Sequence, residues 1–173
     1  MEKRSLTSGV YLQSLLLIHL AMLMGIVIFI GVAVYSRLSS GTPVIPLSAA
    51  MPMLFVVMAV SLVCLPLSFV IPRRLTAQAA EKPTFAGKLR AFQIACILRV
   101  ALLEAPALIA TAALFITGVY GFLGVTLIAL VLMAMNIPTV TKIVEALHLE
   151  GDDVRNLNNP AFVLGEYVPA EVN

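Results

Sequence analysis

Two ionisable residues, an arginine and a glutamate, lie inside one long apolar segment. The glutamate is of a type that could bind a proton or a cation. The segment covers residues 91–117 and contains Arg99 and Glu104. Hydrocarbon strongly disfavours charged side chains, so an ionisable residue in a membrane-spanning segment marks a candidate functional group. A carboxyl group there can take up and release a proton or a cation. We therefore take Glu104 as the ion-binding candidate and Arg99 as a residue that would tune it.

Two further polar residues, His19 and Asn136, lie in other apolar segments. At about 1.5 Å per helical residue, Arg99 lies about 12 Å and Glu104 about 20 Å into a core roughly 30 Å thick. His19 reaches about the depth of Arg99, and Asn136 ends the last apolar segment on the same side. These depths predict a cavity that opens on the cytoplasmic side of the membrane, an orientation that the basic residues described later in this subsection support. The candidate ion-binding set is thus Glu104, Arg99, His19 and Asn136.

The spacing of Arg99 and Glu104 leaves two interpretations open. Five residues along a helix correspond to about 140° of rotation, so the two side chains do not share a face. Arg99 can extend toward water. Glu104 would pair with another helix, where His19 is the titratable candidate, or stay protonated because hydrocarbon disfavours its charge. If Glu104 is paired, with either His19 or Arg99, the contact is structural and holds helices together. If Glu104 stays protonated, it is a candidate ion-binding site. His19 by itself suits a satisfied polar group better than a metal ligand.

The composition excludes several classes of protein. Hydrophobic residues make up 61% and charged residues 12% of the chain, whereas charged residues are about a quarter of a soluble domain. The net charge of +2 is too small to indicate nucleic-acid binding. We find no nucleophile and base pair, phosphate loop, dinucleotide motif or metal-ligand spacing. The sequence predicts an integral membrane protein that is not an enzyme and needs no cofactor or metal.

Four apolar segments indicate four membrane-spanning helices, at residues 11–35, 44–71, 91–117 and 119–136. A short turn-rich connector at residues 36–43 suggests that the first two helices form a hairpin. The predicted fold class is all-α, an integral membrane four-helix bundle built from two antiparallel hairpins. Residues 1–149 would form this bundle.

Basic residues set the expected orientation. The connector at residues 72–90 carries five cations against the single acid Glu81, and Lys3 and Arg4 precede the first segment. Short loops rich in lysine and arginine stay in the cytoplasm. We expect a multi-pass protein of the bacterial inner membrane with both termini in the cytoplasm. The five cations are Arg73, Arg74, Lys82, Lys88 and Arg90.

The sequence changes character after the fourth segment. Pro138 disfavours helix at the residue before it and should end or kink the helix there. Residues 139–149 predict a short amphipathic helix that Gly151 stops, with Ile143 and Leu147 on its apolar side. Residues 150–173 are acidic and should form a cytoplasmic tail that is mobile or docked on a partner.

Two resemblances bear on function. Residues 82–113 resemble the loop and second helix of the rotor-ring subunit of rotary ATP synthases, with Pro83, Gly87, Lys88 and Glu104 at the matching positions. That resemblance implies that Glu104 binds the transported ion. The whole chain is similar to a group of small bacterial four-span membrane proteins with no attached activity. The matching motifs are R-x-A-L-x-E-x-P-A-L at residues 99–108 and P-T-x-x-K-I-x-x-x-L at residues 138–147.

These observations predict a non-enzymatic subunit or oligomer of an inner-membrane complex, with Glu104 as a proton- or cation-handling group. Its partners would be the lipid bilayer and other membrane subunits or further copies of itself, without nucleic acid. One alternative is a structural or assembly subunit that docks partners through its cytoplasmic tail. Another is a small-solute carrier lined by His19, Arg99, Glu104 and Asn136.

Overall fold

The computed structural model describes residues 4–41 and 43–167, and it is mostly helical, which confirms the all-α class. A short two-stranded sheet joins the two ends of the described chain, and the sequence did not predict it. In chain order the elements are β1 (Arg4–Thr7), α1 (Ser8–Ser40), α2 (Leu47–Ala80), α3 (Phe85–Thr117), a 3₁₀ turn (Tyr120–Phe122), α4 (Leu123–Met135), α5 (Val140–Leu147), α6 (Asp152–Asn158) and β2 (Val163–Tyr167).

Three of the described helices are long and apolar enough to cross a membrane. Helices α1, α2 and α3 have 33, 34 and 33 residues, and each contains an 18-residue window whose mean hydropathy is 2.8, 2.7 and 2.0, respectively. By contrast, α4 has 13 residues and rises only about 20 Å, less than the roughly 30 Å hydrocarbon core. Together with α5, from which it is bent by 79°, α4 qualifies as one broken span. The described residues thus provide three membrane-length helices, or four if the bent pair counts as one.

The central helix is α3, and α1, α2 and α4 all pack against it. Near its C-terminal end, Ala110 and Ala113 are fully buried against Ala33 of α1 and Val57 of α2. Small side chains let helices approach closely where lipid gives no hydrophobic drive for association. The prediction that α1 and α2 pair in a hairpin is wrong, because α1 packs along α3 instead. Helices α2 and α3 do form an antiparallel pair.

The last turn of α1 and the loop that follows it bond to the C-terminal end of α3. Arg37 donates from Nη2 to the carbonyl of Ile116 at 2.9 Å, and the backbone N–H of Ile45 donates to the carbonyl of Thr117 at 2.9 Å. The last carbonyls of a helix have no partner within the helix, so these bonds cap α3. Gly118 ends the helix in the left-handed region, with φ of 73°. This capping helps to hold α1 and its loop against α3.

The predicted hydrophilic connector at residues 72–90 is mostly helical. Helix α2 continues through Pro72 to Ala80, and α3 begins at Phe85, so only residues 81–84 form the turn. Pro72 and Ala79 are buried, and the Ala-Gln-Ala-Ala run at residues 77–80 has high helix propensity. Thr84 then caps α3 by accepting the N–H of Gly87 at 3.2 Å. The prediction placed the end of the helix at the end of the apolar segment, residue 71, whereas α2 continues to Ala80.

The predicted amphipathic helix is confirmed as α5. Ile143 and Leu147 are buried against the start of α3, and the adjacent Leu149 is buried with them. The helix ends earlier than predicted, because His148 and not Gly151 caps it in the left-handed region, with φ of 48°. The sharp break before α5 lies at residues 136–139, as Pro138 predicted.

The segment after α5 packs back on the start of the chain. Strand β2 pairs antiparallel with β1, and the N–H of Ser8 donates to the carbonyl of Phe162 at 2.9 Å. Leu157 of α6 is buried with Tyr11 of α1 and Leu89 of α3. Up to residue 167, the predicted tail therefore packs on its own chain, while residues 168–173 lie outside the described part. We call the end of the bundle that carries β1, the 81–84 turn, α5 and α6 the terminal end.

Candidate functional site

Arg99 and Asn136 meet where α3 passes the C-terminal end of α4. The guanidinium Nη1 of Arg99 donates to Oδ1 of Asn136 at 3.0 Å, and Asn136 returns an amide N–H to the carbonyl of Leu132 at 2.7 Å. Helix α4 ends here because Pro138 cannot continue it. Asn136 then serves both as the cap of α4 and as the acceptor for Arg99. This bond brings together two of the four candidate residues.

Lys142 of α5 completes the capping of α4. Its ammonium donates to the carbonyls of Met135 and Ile137 at 2.7 and 3.0 Å. A cation at a helix C-terminus is favoured by the helix dipole. The bonds also fix the 79° bend between α4 and α5. Lys142 was not among the predicted site residues.

His19 also bonds to α4, one turn before Asn136. Its ring nitrogen Nε2 lies 3.0 Å from the carbonyl of Met133, and the side chain is buried. A carbonyl oxygen only accepts, so Nε2 carries the proton and donates. This contact joins α1 to α4 and agrees with the interpretation of His19 as a satisfied polar group. No group of three or more His, Cys, Asp or Glu residues is placed to hold a metal within the described ranges.

Glu104 stands apart from the other three candidates. It is partly exposed, and its carboxylate makes no hydrogen bond or ion pair with any residue that the structure describes. The predicted structural pairs of Glu104 with His19 or Arg99 are therefore not formed, because those two side chains are bonded to Met133 and Asn136. Since Arg99 and Glu104 are separated by about 140° around α3, they face different surroundings.

The surroundings of Glu104 are apolar and open. It lies on one face of α3 with four exposed hydrophobic residues at helical spacing, which we call the apolar stripe. Its nearest members along the helix are Ile97, which is 36% exposed, and Leu108, which is 37% exposed. The carboxylate thus projects from the bundle about midway along a membrane-length helix. The members of the apolar stripe are Ile94, Ile97, Leu108 and Phe115.

A cavity of about 620 Å³ opens at the terminal end, between α2, α3 and α5. Arg99 and Asn136 line it, as does Lys142, and Arg73 of α2 adds a third cation. Glu145 is the one acidic residue among the described residues of the lining. The cavity lies in the half where the sequence predicted one. Its positive character suits an anion, whereas the sequence analysis looked for a proton or cation site.

The four predicted site residues therefore do not form one site. Arg99 and Asn136 line the cavity, His19 bonds to α4 behind it, and Glu104 lies on the apolar stripe. A carrier lined by all four residues does not match this arrangement. Arg73 and Lys142 were not predicted to line a cavity, although each is a positive charge close to a proline, Pro72 and Pro138, which was a usable signal.

A buried polar pair in the other half of the bundle was also missed. Thr111 of α3 donates to the carbonyl of Ala107 at 2.8 Å, and its hydroxyl lies 3.2 Å from that of Thr126 in α4. Both threonines are fully buried. Such a contact holds α3 and α4 together where apolar packing provides little specificity.

No family model, curated protein or solved structure matches the chain. Both resemblances described above therefore stay predictions. The function has to be argued from the geometry of the two sites.

Proposed function

We propose that the protein is a non-enzymatic subunit or oligomer of an inner-membrane complex in which Glu104 handles a proton or a cation. One observation supports this proposal above all. The carboxylate of Glu104 lies among exposed apolar side chains at the middle of α3, and it has no partner within the described part of the chain.

A bare carboxylate in hydrocarbon carries a large free-energy cost. An ionised group at the centre of a bilayer is expensive, and intramembrane acids are normally paired or turned toward a polar interior. Among the described residues of its own chain, Glu104 has neither a charged or hydrogen-bonding partner nor a polar interior to face. It must be neutralised by a bound proton, by a cation, or by a donor on a neighbouring protein. The first two are ion handling, and the third places the protein in a complex.

The apolar stripe supports association with other helices. Ala101 lies one turn from Glu104 on the same side, and Ile97 and Leu108 flank them. A small residue beside a polar one allows a second helix to come close and hydrogen-bond across the interface. A neighbouring helix on this face would cover Glu104 and determine whether its carboxyl group is protonated or ionised.

We further propose four spans with both termini in the cytoplasm. The helix ends and the turn at the terminal end carry Arg73, Arg74, Lys82, Lys88 and Arg90, whereas Arg37 is the single lysine or arginine near the loops at residues 41–46 and 118–122. This asymmetry supports a cytoplasmic terminal end. In this arrangement α4 crosses most of the bilayer, and α5 lies at the inner interface.

The orientation is testable with single cysteines in a variant whose native Cys64 and Cys96 are replaced by Ala. Tyr120→Cys at the far end should react with a membrane-impermeant maleimide added outside intact cells. Ala86→Cys at the terminal end should react only after lysis. The reverse pattern would reject the proposed orientation.

The ion-handling proposal is tested by carbodiimide labelling of Glu104 in native membranes, quantified by mass spectrometry. Only a protonated carboxyl reacts readily, so labelling should be high at acidic pH and fall as the pH rises. Sodium or potassium at fixed pH and ionic strength should suppress labelling if a cation competes for the group. Glu104→Gln is the control for specificity.

Each result bears on the proposal. Labelling that titrates with pH supports proton handling, and suppression by one cation identifies a cation site. Labelling that is absent at every pH would show a permanently covered carboxylate. That outcome would reject ion handling and favour the structural or assembly subunit.

A further inference from the structure

The cavity at the terminal end is separate from Glu104 and has a different charge. We propose that it binds a phosphate group, carried either by a phospholipid headgroup or by a soluble phosphate ester. The inference does not depend on the role of Glu104. It rests on the cations that line the cavity, on their free hydrogen-bond donors and on the apolar wall beside them.

Three cations from three helices converge on the cavity. Arg73 comes from α2, Arg99 from α3 and Lys142 from α5, against Glu145 as the acid among the described lining residues. Arg73 and Arg99 line the same cavity, so their positive charges repel each other across it. Like charges placed together are unfavourable unless an anion lies between them. A ligand with one or two negative charges would balance this excess.

Arg99 has the donors that such a ligand needs. Its Nη1 is already bonded to Asn136, whereas Nε is buried and has no partner among the described residues. The Nε and Nη2 edge of the guanidinium is thus available, and this edge matches two oxygens of a phosphate in a bidentate pair. A slight turn of the guanidinium toward the cavity would present the edge to the ligand.

Lys142 and Arg73 can complete the contact. The ammonium of Lys142 has three N–H donors, and two of them are bonded to the carbonyls of Met135 and Ile137. The third is available for a phosphate oxygen. Arg73 is exposed at the rim and makes no hydrogen bond or ion pair with the described residues. Its guanidinium can therefore move onto a ligand without breaking a bond.

The remaining wall of the cavity is apolar and suits a ligand with a nonpolar part. Phe92, Ala95 and Pro138 lie beside the cations. The volume of about 620 Å³ is within the range of small-molecule sites, roughly 300–1,000 Å³. Basic pockets between membrane helices near the cytoplasmic surface are typical sites for anionic headgroups. The same chemistry would accept a soluble phosphate ester.

The chain offers a matched pair of variants for the test. Arg73 and Arg74 are adjacent on α2, both are exposed, and only Arg73 lines the cavity. Arg73→Gln removes a cavity charge without disturbing a described bond, and Arg74→Gln removes the same charge nearby. The full chain is purified and placed in nanodiscs of phosphatidylcholine. Phosphatidic acid is added to the lipid in one arm, and glycerol phosphate is added to the buffer in the other, with chloride at equal ionic strength as the control.

Binding of phosphatidic acid is counted by native mass spectrometry, and binding of glycerol phosphate is measured by calorimetry. We expect saturable binding that is about five- to tenfold weaker in Arg73→Gln than in Arg74→Gln, which should match the unmodified chain. Binding of phosphatidic acid alone assigns the site to a lipid headgroup. Binding of glycerol phosphate assigns it to a soluble ester. Equal loss in both variants, or no binding of either probe, would overturn the proposal.

Discussion

Arg99 donates to Asn136 at 3.0 Å across the contact of α3 with α4, on a side of α3 that lies about 140° from Glu104. Two ionisable groups five residues apart thereby belong to different sites. Arg99 lines a positively charged cavity at the terminal end, whereas Glu104 lies on the apolar stripe. The separation explains how one helix can carry an anion site and an isolated carboxylate.

Asn136→Ala should lower the free energy of unfolding by about 1–3 kcal/mol, because it leaves Arg99 and the carbonyl of Leu132 without their partner. The measurement is a detergent unfolding titration in mixed micelles. Asn158→Ala is the matched control, since Asn158 makes the same amide bond to the carbonyl four residues earlier, but at an exposed site. Equal losses in the two variants would contradict a structural role for the Arg99 contact.

His19→Leu should be less stable than His19→Gln by about 1 kcal/mol. The amide nitrogen of glutamine can replace Nε2 and keep the bond to the carbonyl of Met133, whereas leucine cannot donate. The same unfolding titration compares the two variants. If both lose the same free energy, the bond between α1 and α4 contributes nothing measurable.

Gly118→Ala should destabilise the protein by at least about 1–2 kcal/mol, the cost of the left-handed conformation for a residue with a side chain. Gly118 has φ of 73°, and an added Cβ would lie 2.8 Å from Nη2 of Arg37. Gly124→Ala in α4 serves as the control, because nothing lies within 4 Å of its added Cβ. We expect that variant to be neutral or slightly more stable, since alanine favours helix. A harmless Gly118→Ala would show that the Arg37 cap of α3 is dispensable.

Leu157→Ala should release the C-terminal segment from the bundle. Leu157 is only 1% exposed, and truncating a buried leucine typically costs about 2–5 kcal/mol. Limited proteolysis should then cut residues 150–167 faster than in the unmodified chain. Leu6→Ala, at a residue that is 42% exposed, should leave the rate nearly unchanged. Identical cleavage in both variants would mean that α6 is not held by its buried leucine.

Local patterns were enough to predict several elements of this fold. Long apolar runs predicted the helices, the spacing of Ile143 and Leu147 predicted α5, and Pro138 predicted the break before it. The end of α2 was misjudged, because hydropathy marks where a membrane would end and carries no information on where the helix stops. The choice of α3 over α2 as the partner of α1 depends on contacts distant in sequence, such as the Arg37 bond to Ile116.

The sheet and the cavity also depend on contacts between residues that are distant in sequence. Strands β1 and β2 lie at opposite ends of the chain, and nothing in either short segment indicates the other. The rotation between Arg99 and Glu104 was predictable from helix geometry, and it correctly implied different surroundings. Neither the pairing of Arg99 with Asn136 nor the approach of Arg73 was predictable, because both depend on how α2, α4 and α5 pack around α3.

The central proposal is that the carboxyl group of Glu104, which bonds to no described residue, lies in an apolar membrane environment, and a comparison of two carbodiimides tests it most directly. Native membranes are treated at mildly acidic pH with a hydrophobic or a water-soluble carbodiimide, and labelling of Glu104 and Glu145 is quantified in one digest. Glu145 is the internal control, because it is exposed in the lining of the cavity at the terminal end. We predict that the hydrophobic reagent labels Glu104 before Glu145 and that the water-soluble reagent labels them in the opposite order. Labelling of Glu104 by the water-soluble reagent alone, or by neither reagent, would contradict the claim.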